Sequence, residues 1–233
     1  MSNTSKGAAV KGSKFMMQIA ASNLAKRIID KHLQDELIWL SPREEDNYEE
    51  YQLSETKVLD FLGINSNKKK LFDFWPSRQP QWDGIAIGKE SGTLYLFEAK
   101  SHLRETISNC SASSATSWSM IKDAMKDVAK NVYHVVDMGL IDNYWMQENY
   151  QIANRLVFLQ KMKEIQSDAS FYEDVKLVFL NFVNDYTWEE CEVVKEAEDW
   201  TKHYDKIFSK MGIKRENVTE QGLIELNYYA PHV

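Results

Sequence analysis

The run WDGIAIGKESGTLYLFEAK, Trp82 to Lys100, places apolar stretches on either side of the tetrad Lys89-Glu90-Ser91-Gly92. Its alternation predicts two strands, 82–87 and 93–100, joined by a tight connection. Side chains alternate faces along a strand, so Leu94, Leu96, Glu98 and Lys100 share one face. Asp83, Ile85 and Ile87 share a face of the neighbouring strand in the same way. Each face starts apolar and ends charged, as expected where a core-facing strand runs out into a cleft.

The connection decides whether the two acids meet. With a four-residue loop over 89–92, Gly88 opposes Thr93 and Asp83 falls opposite Glu98. A five-residue loop without a bulge puts Asp83 opposite Phe97, on the wrong face. Two facing carboxylates repel and destabilise a hairpin, so something must offset them. Hard oxygen donors suit Mg²⁺ or Mn²⁺, with Asp83, Glu98 and the Ala99 carbonyl as ligands. Lys100 would then position or help deprotonate an attacking water, or neutralise charge building on a phosphate. The simpler alternative is a solvent-facing Glu98–Lys100 pair at a strand end.

Outward from this hairpin, helical spacing of Met17, Ala21, Leu24 and Ile28 predicts an amphipathic helix over 15–33. A second helix is expected over 49–62, stopped by Gly63. LFDFW (71–75) is strand-like and makes a third strand before the hairpin, with Pro76 and Pro80 as punctuation. Further helices are expected over 119–138 and 148–165, a buried strand over 176–183, a helix ending at Gly212 and a last strand over 223–229. The pattern is an α/β layered domain over 15–233, with 1–14 a disordered lead-in.

A chain of 233 residues, 43% hydrophobic and 27% charged, suits one well-buried domain. No apolar run reaches a membrane span or a signal peptide, so no membrane partner is expected. Cys110 and Cys191 are too few for a disulfide framework, which points to the cytoplasm. The histidines 32, 102, 134, 203 and 232 lack zinc-ligand spacing, and there is no P-loop, dinucleotide fingerprint or nucleophile elbow. The net charge of −7 is uneven: residues 68–104 hold seven basic and four acidic side chains, against two and nine over 34–67. That permits phosphate binding near the hairpin without a broad nucleic-acid coating.

Gln81-Trp82-Asp83-Gly84 followed by Phe97-Glu98-Ala99-Lys100 resembles the PD-(D/E)xK pattern of the restriction-endonuclease-like nucleases. Trp82 stands where that pattern has Pro. The element order helix, three-stranded meander, helix, strand over 49–184 is similar to that superfamily's core. DFWPSRQPQWDG, LFEAKSH and YQIANRL resemble an uncharacterised bacterial branch of it. The resemblance implies a restriction-endonuclease-like α/β core, a central mixed β-sheet flanked by helices. It implies an Mg²⁺- or Mn²⁺-dependent nuclease acting on DNA, with RNA second, and Asp83, Glu98 and Lys100 as catalytic residues. A homodimer would suit a symmetric DNA target, although nothing in the sequence demands one. A catalytically inactive nuclease-like scaffold, binding a protein partner or nucleic-acid ends, is the alternative.

The resemblance also implies a further acid from the helix before the meander. Glu36, Glu50 and Glu55 are candidates, and Glu50, entering the helix nearest the strands, is preferred as a metal ligand. Gln151, Asn154 and Arg155 lie at i, i+3 and i+4 on one helix face. They either reach a phosphate and orient the acids or form a buried polar network. His102 and Arg104 follow Lys100 and either touch a phosphate or mark an exposed strand exit.

Overall fold

The computed structural model describes residues 7–22, 26–64, 70–166 and 171–230. Five strands form one mixed sheet in the order β1-β2-β3-β4-β5. They are β1 Leu37–Ser41, β2 Gly84–Gly88, β3 Thr93–Lys100, β4 Asp174–Val183 and β5 Leu223–Tyr229. β2 is antiparallel to β1 and β3, whereas β3, β4 and β5 are mutually parallel. Helices α1 Gly12–Ala20, α2 Lys26–Leu33, α3 Thr56–Phe61, α4 Ala115–Asn131, α5 Tyr150–Glu164, α6 Ala197–Met211 and α7 Arg215–Glu220 flank it. The chain is thus α/β, with a five-stranded mixed sheet between helices. Among the described residues no helix is long and apolar enough to cross a membrane.

All eight residues of β3 are buried, because this central strand is covered on both faces. Leu94 and Leu96 pack with Ile85, Ile87, Leu177 and Phe179 against α4, α5 and α6. Tyr95, Phe97 and Ala99 face the other way, toward Met16, Met17 and Ala20 of α1 and Ile29 of α2. Parallel strands need crossovers: α4 and α5 carry the chain from β3 to β4, and α6 and α7 from β4 to β5.

Several elements differ from expectation. The first strand of the meander is β1, and LFDFW is not a strand. Phe72 and Trp75 are buried while Asp73 between them is exposed, an i, i+3 spacing that belongs to a turn of helix. The helix expected over 15–33 is interrupted: α1 ends at Ala20, α2 is described over Lys26–Leu33, and Leu24 lies outside the described residues. The helix expected over 49–62 shrinks to α3, because Glu55 folds back to accept the Gln52 N–H at 2.7 Å and leaves Glu50 and Tyr51 extended. The lead-in expected over 1–14 lies partly outside the described residues. From Gly7 it is tied down, Gly7 N–H donating to the Asn47 carbonyl at 2.7 Å, and Gly12 already begins α1.

The hairpin has the four-residue register. Gly84 pairs with Phe97, Ile85 with Leu96, Ala86 with Tyr95 and Ile87 with Leu94. Gly92 closes the loop, its N–H donating to the Gly88 carbonyl at 2.9 Å, with φ of 64° that only glycine adopts without strain. Asp35 pins the same loop: it accepts from the Glu90 N–H at 3.2 Å and from the Ser91 hydroxyl.

Candidate active site

β2 begins at Gly84, so Asp83 sits where the strand ends, and one further step of the register sets it opposite Glu98. Gly84 lets α1 pack closely here: a Cβ would lie 2.5 Å from Met17 Cε, 3.1 Å from Trp39 Cζ3 and 3.2 Å from Phe97 Cβ. Trp82 turns away, its N–H donating to the Tyr51 carbonyl at 3.0 Å. The Asp83 carboxylate takes the vacated ladder position and accepts the Ala99 N–H at 2.8 Å through Oδ2. The N–H and C=O of one strand residue point to the same side, so the Ala99 carbonyl also faces Asp83.

Tyr51 and Trp82 form an antiparallel bridge. Continuing that pairing one residue brings Glu50 beside Asp83, and both line a seam with Lys14, Met17, Gln18 and Pro42 that is too tight for a free water. Glu50 therefore joins the site from an extended segment, not from a helix. Lys14 Nζ lies 3.3 Å from Glu50 Oε1.

Glu98 is fully buried, and both its oxygens are taken. Oε1 accepts from Lys100 Nζ, and Oε2 accepts from Arg155 Nε at 2.5 Å. Arg155 is held by three more contacts. Nη2 donates to the Gln81 carbonyl at 2.7 Å and Nη1 to Asn154 Oδ1 at 3.2 Å, while the guanidinium carbon lies 4.4 Å above the Trp82 ring. Among the described residues Lys100 Nζ has only the one hydrogen bond, to Glu98.

The charges respond accordingly. Burial, then the charge of Glu98, pushes the Asp83 carboxyl up to about 7, against the pull of Lys100. Burial alone would raise Glu98, but Arg155 and Lys100 outweigh it and hold Glu98 below the ordinary carboxylate range. Burial would lower Lys100, but Glu98 and Asp83 outweigh it, so Lys100 stays a cation. Burial raises Glu50, with Lys14 opposing. Lys14, Lys100 and Arg155 thus face Glu50, Asp83 and Glu98.

No family model matches the chain, and no curated protein or solved structure matches it either.

The structure brings Asp83, Glu98, Lys100, the Ala99 backbone, Glu50, Asn154 and Arg155 together. Gln151 stays apart at the first turn of α5, its N–H on Ser108 Oγ at 2.8 Å. His102 is not an exposed strand exit. It is 1% exposed, and its Nδ1–H donates to the Glu192 carbonyl at 3.1 Å. It lines a separate cavity of about 310 Å³ with Arg104, His203 and Lys206. Glu55 binds Gln52, and Glu36 pairs with Lys89 at 2.9 Å, so neither joins the acids. Two contributors escaped the sequence argument. Lys14 arrives from α1, and Glu105 accepts from the Ser101 and His102 N–H groups at 2.7 and 2.9 Å and from Ser13 Oγ at 2.7 Å. An acid three residues beyond His102, which caps a short helical turn, is the signal that could have found Glu105.

The donors fit a hard divalent cation in chemistry: Asp83 Oδ1 makes no hydrogen bond among the described residues, and the Ala99 carbonyl faces it. They are not yet gathered as a coordination shell. Among the described residues no three Asp, Glu, His or Cys side chains converge on one point, and Glu98 is held by its two cations.

Proposed function

We propose that this chain is a divalent-metal-dependent nuclease with a restriction-endonuclease-like core, hydrolysing phosphodiester bonds of DNA or, second, RNA. The observation that carries it is the convergence of Asp83, Glu98 and Lys100 at one sheet end, in the one register that allows it. The order α1-α2, β1, α3, β2-β3, α4-α5, β4 shares with the core that the PD-(D/E)xK resemblance implies an antiparallel β1-β2-β3 followed by helices and a parallel β4, and departs from it in the α3 inserted between β1 and β2.

Asp83, Glu98 and the Ala99 carbonyl would hold Mg²⁺ or Mn²⁺, with Glu50 beside them. Such an ion supplies charge at a phosphoryl oxygen and an acidified water. The raised pKa of Lys100 narrows its own part. Held by Glu98 and Asp83 it is a cation in the metal-free protein, which suits a group that orients a water or meets charge developing on phosphate. Asn154 and Arg155 keep Glu98 ionised and aimed.

A second function has an observation of its own. Lys100 and Arg155 already occupy both Glu98 oxygens, which suits a catalytically silent scaffold that binds a protein partner or nucleic-acid ends. Plasmid and single-stranded DNA should be cut in Mn²⁺ or Mg²⁺ and not in EDTA, and Lys100→Ala should lose about a hundredfold or more in rate, the low end for removing a group that stabilises transition-state charge. Undiminished cutting by Lys100→Ala removes the assigned role. No cutting, with no calorimetric Mn²⁺ binding at millimolar metal, leaves the scaffold.

A further inference from the structure

Glu98 has two oxygens and two cationic partners, and the partners are held very unequally. Arg155 keeps a carbonyl, an amide oxygen and an aromatic face besides Glu98. Among the described residues Lys100 Nζ keeps only Glu98 Oε1. Its flexible four-carbon stem can swing, whereas the planar guanidinium is pinned at three other points. Freeing Oε2 would break a network, but freeing Oε1 breaks one contact. Asp83, which accepts the Ala99 N–H through Oδ2, lies opposite Glu98 on the neighbouring strand.

We propose that Lys100 is a displaceable stand-in for the divalent cation: it occupies Glu98 Oε1 in the metal-free protein and releases it as metal binds. The release of Glu98 is then also the release of the Lys100 ammonium toward substrate. Arg155 remains on Oε2 as the fixed counter-charge and a positioning residue. This rests on the proposed metal site, but it concerns competition for one oxygen and not the cleavage reaction.

The test is Mn²⁺ titration calorimetry on the full chain. Lys100→Met, an uncharged side chain of similar length for a buried position, should bind Mn²⁺ about tenfold more tightly than the wild type. Lys100→Arg should return affinity to the wild-type value or below, and Asp83→Asn should abolish binding. Equal or weaker binding by Lys100→Met overturns the proposal, as does an absence of Mn²⁺ binding in both proteins. A measurement on the unaltered protein covers a variant that fails to fold. The Lys100 ζ-ammonium nitrogen resonance should move when Mg²⁺ is added, and an unmoved resonance at saturating Mg²⁺ overturns the proposal. Tighter binding by Lys100→Met without DNA cutting by the wild type would sustain the competition and sink the nuclease function. Cutting without the affinity gain would do the reverse.

Discussion

Arg155 Nε donates to Glu98 Oε2 at 2.5 Å, and the two side chains are 3% and 0% exposed. A buried ion pair gains little over an apolar pair of equal shape, but losing one partner strands the other charge. Arg155→Ala should therefore destabilise the fold by about 3–5 kcal/mol in urea unfolding. Pairing it with Glu98→Gln should cost clearly less than the sum of the two single changes. A loss under about 1 kcal/mol, the scale of an exposed pair, would show that Glu98 is not held as described.

Asp83 gives the site a pH signature. Its folded pKa, about 7, lies above the ordinary 3.8, so between those values the folded state holds a proton that the unfolded chain has lost. Stability from this group is present in acid and drains away as pH rises toward 7. Asp83→Asn should then raise Tm over the wild type by a few degrees at pH 8, with the gap closing toward pH 4. Glu98 has the opposite sign: its pKa is depressed, so its contribution is lost only as pH falls below the ordinary 4.5. The two windows overlap only between 3.8 and 4.5, so the wild-type to Asp83→Asn gap above that overlap, in thermal melts from pH 4 to 8, reports Asp83 alone. A constant gap across that range would refute the Asp83 assignment.

Among the acids before the hairpin, only Glu50 adjoins Asp83. Glu50→Gln should weaken Mn²⁺-dependent cleavage by about tenfold or more, in the range of residues that orient a metal site. Glu55→Gln and Glu36→Gln should leave it within about twofold, a difference under ~0.5 kcal/mol. A larger loss in Glu55→Gln than in Glu50→Gln would reassign the third acid.

The hairpin loop carries its own tie. Asp35 is 6% exposed and accepts from Glu90 N–H and the Ser91 hydroxyl. Asp35→Ala leaves those donors unmatched and should cost about 1–3 kcal/mol in denaturant unfolding. Because the loop sets the register, amide exchange at β2 should quicken as well. Unchanged exchange there would mean that the loop does not set the pairing.

How much of this was legible in the sequence follows from the range of the forces. β3, β5 and the 89–92 loop were readable because strand alternation and turn chemistry are local. β1 was missed because LIWLS (37–41) is short, and LFDFW looked more strand-like until its helical-turn burial was seen. Glu50 was preferred for the wrong local structure. It reaches Asp83 through the Tyr51–Trp82 bridge, a pairing that no local pattern announces. The polar stripe on α5 was visible, but its weight on Glu98, 57 positions away, depends on the crossover from β3. His102 shows the limit of face-counting beyond a strand: the chain turns at Ser101 and buries the ring.

The central claim is that Asp83, Ala99 and Glu98 surround a divalent cation, and crystals soaked in Mn²⁺ test it most directly. The account predicts an anomalous peak bounded by Asp83, the Ala99 carbonyl and Glu98 Oε1, with Arg155 still on Oε2. A saturating soak with no peak there, and Lys100 still seated on Glu98, would contradict it.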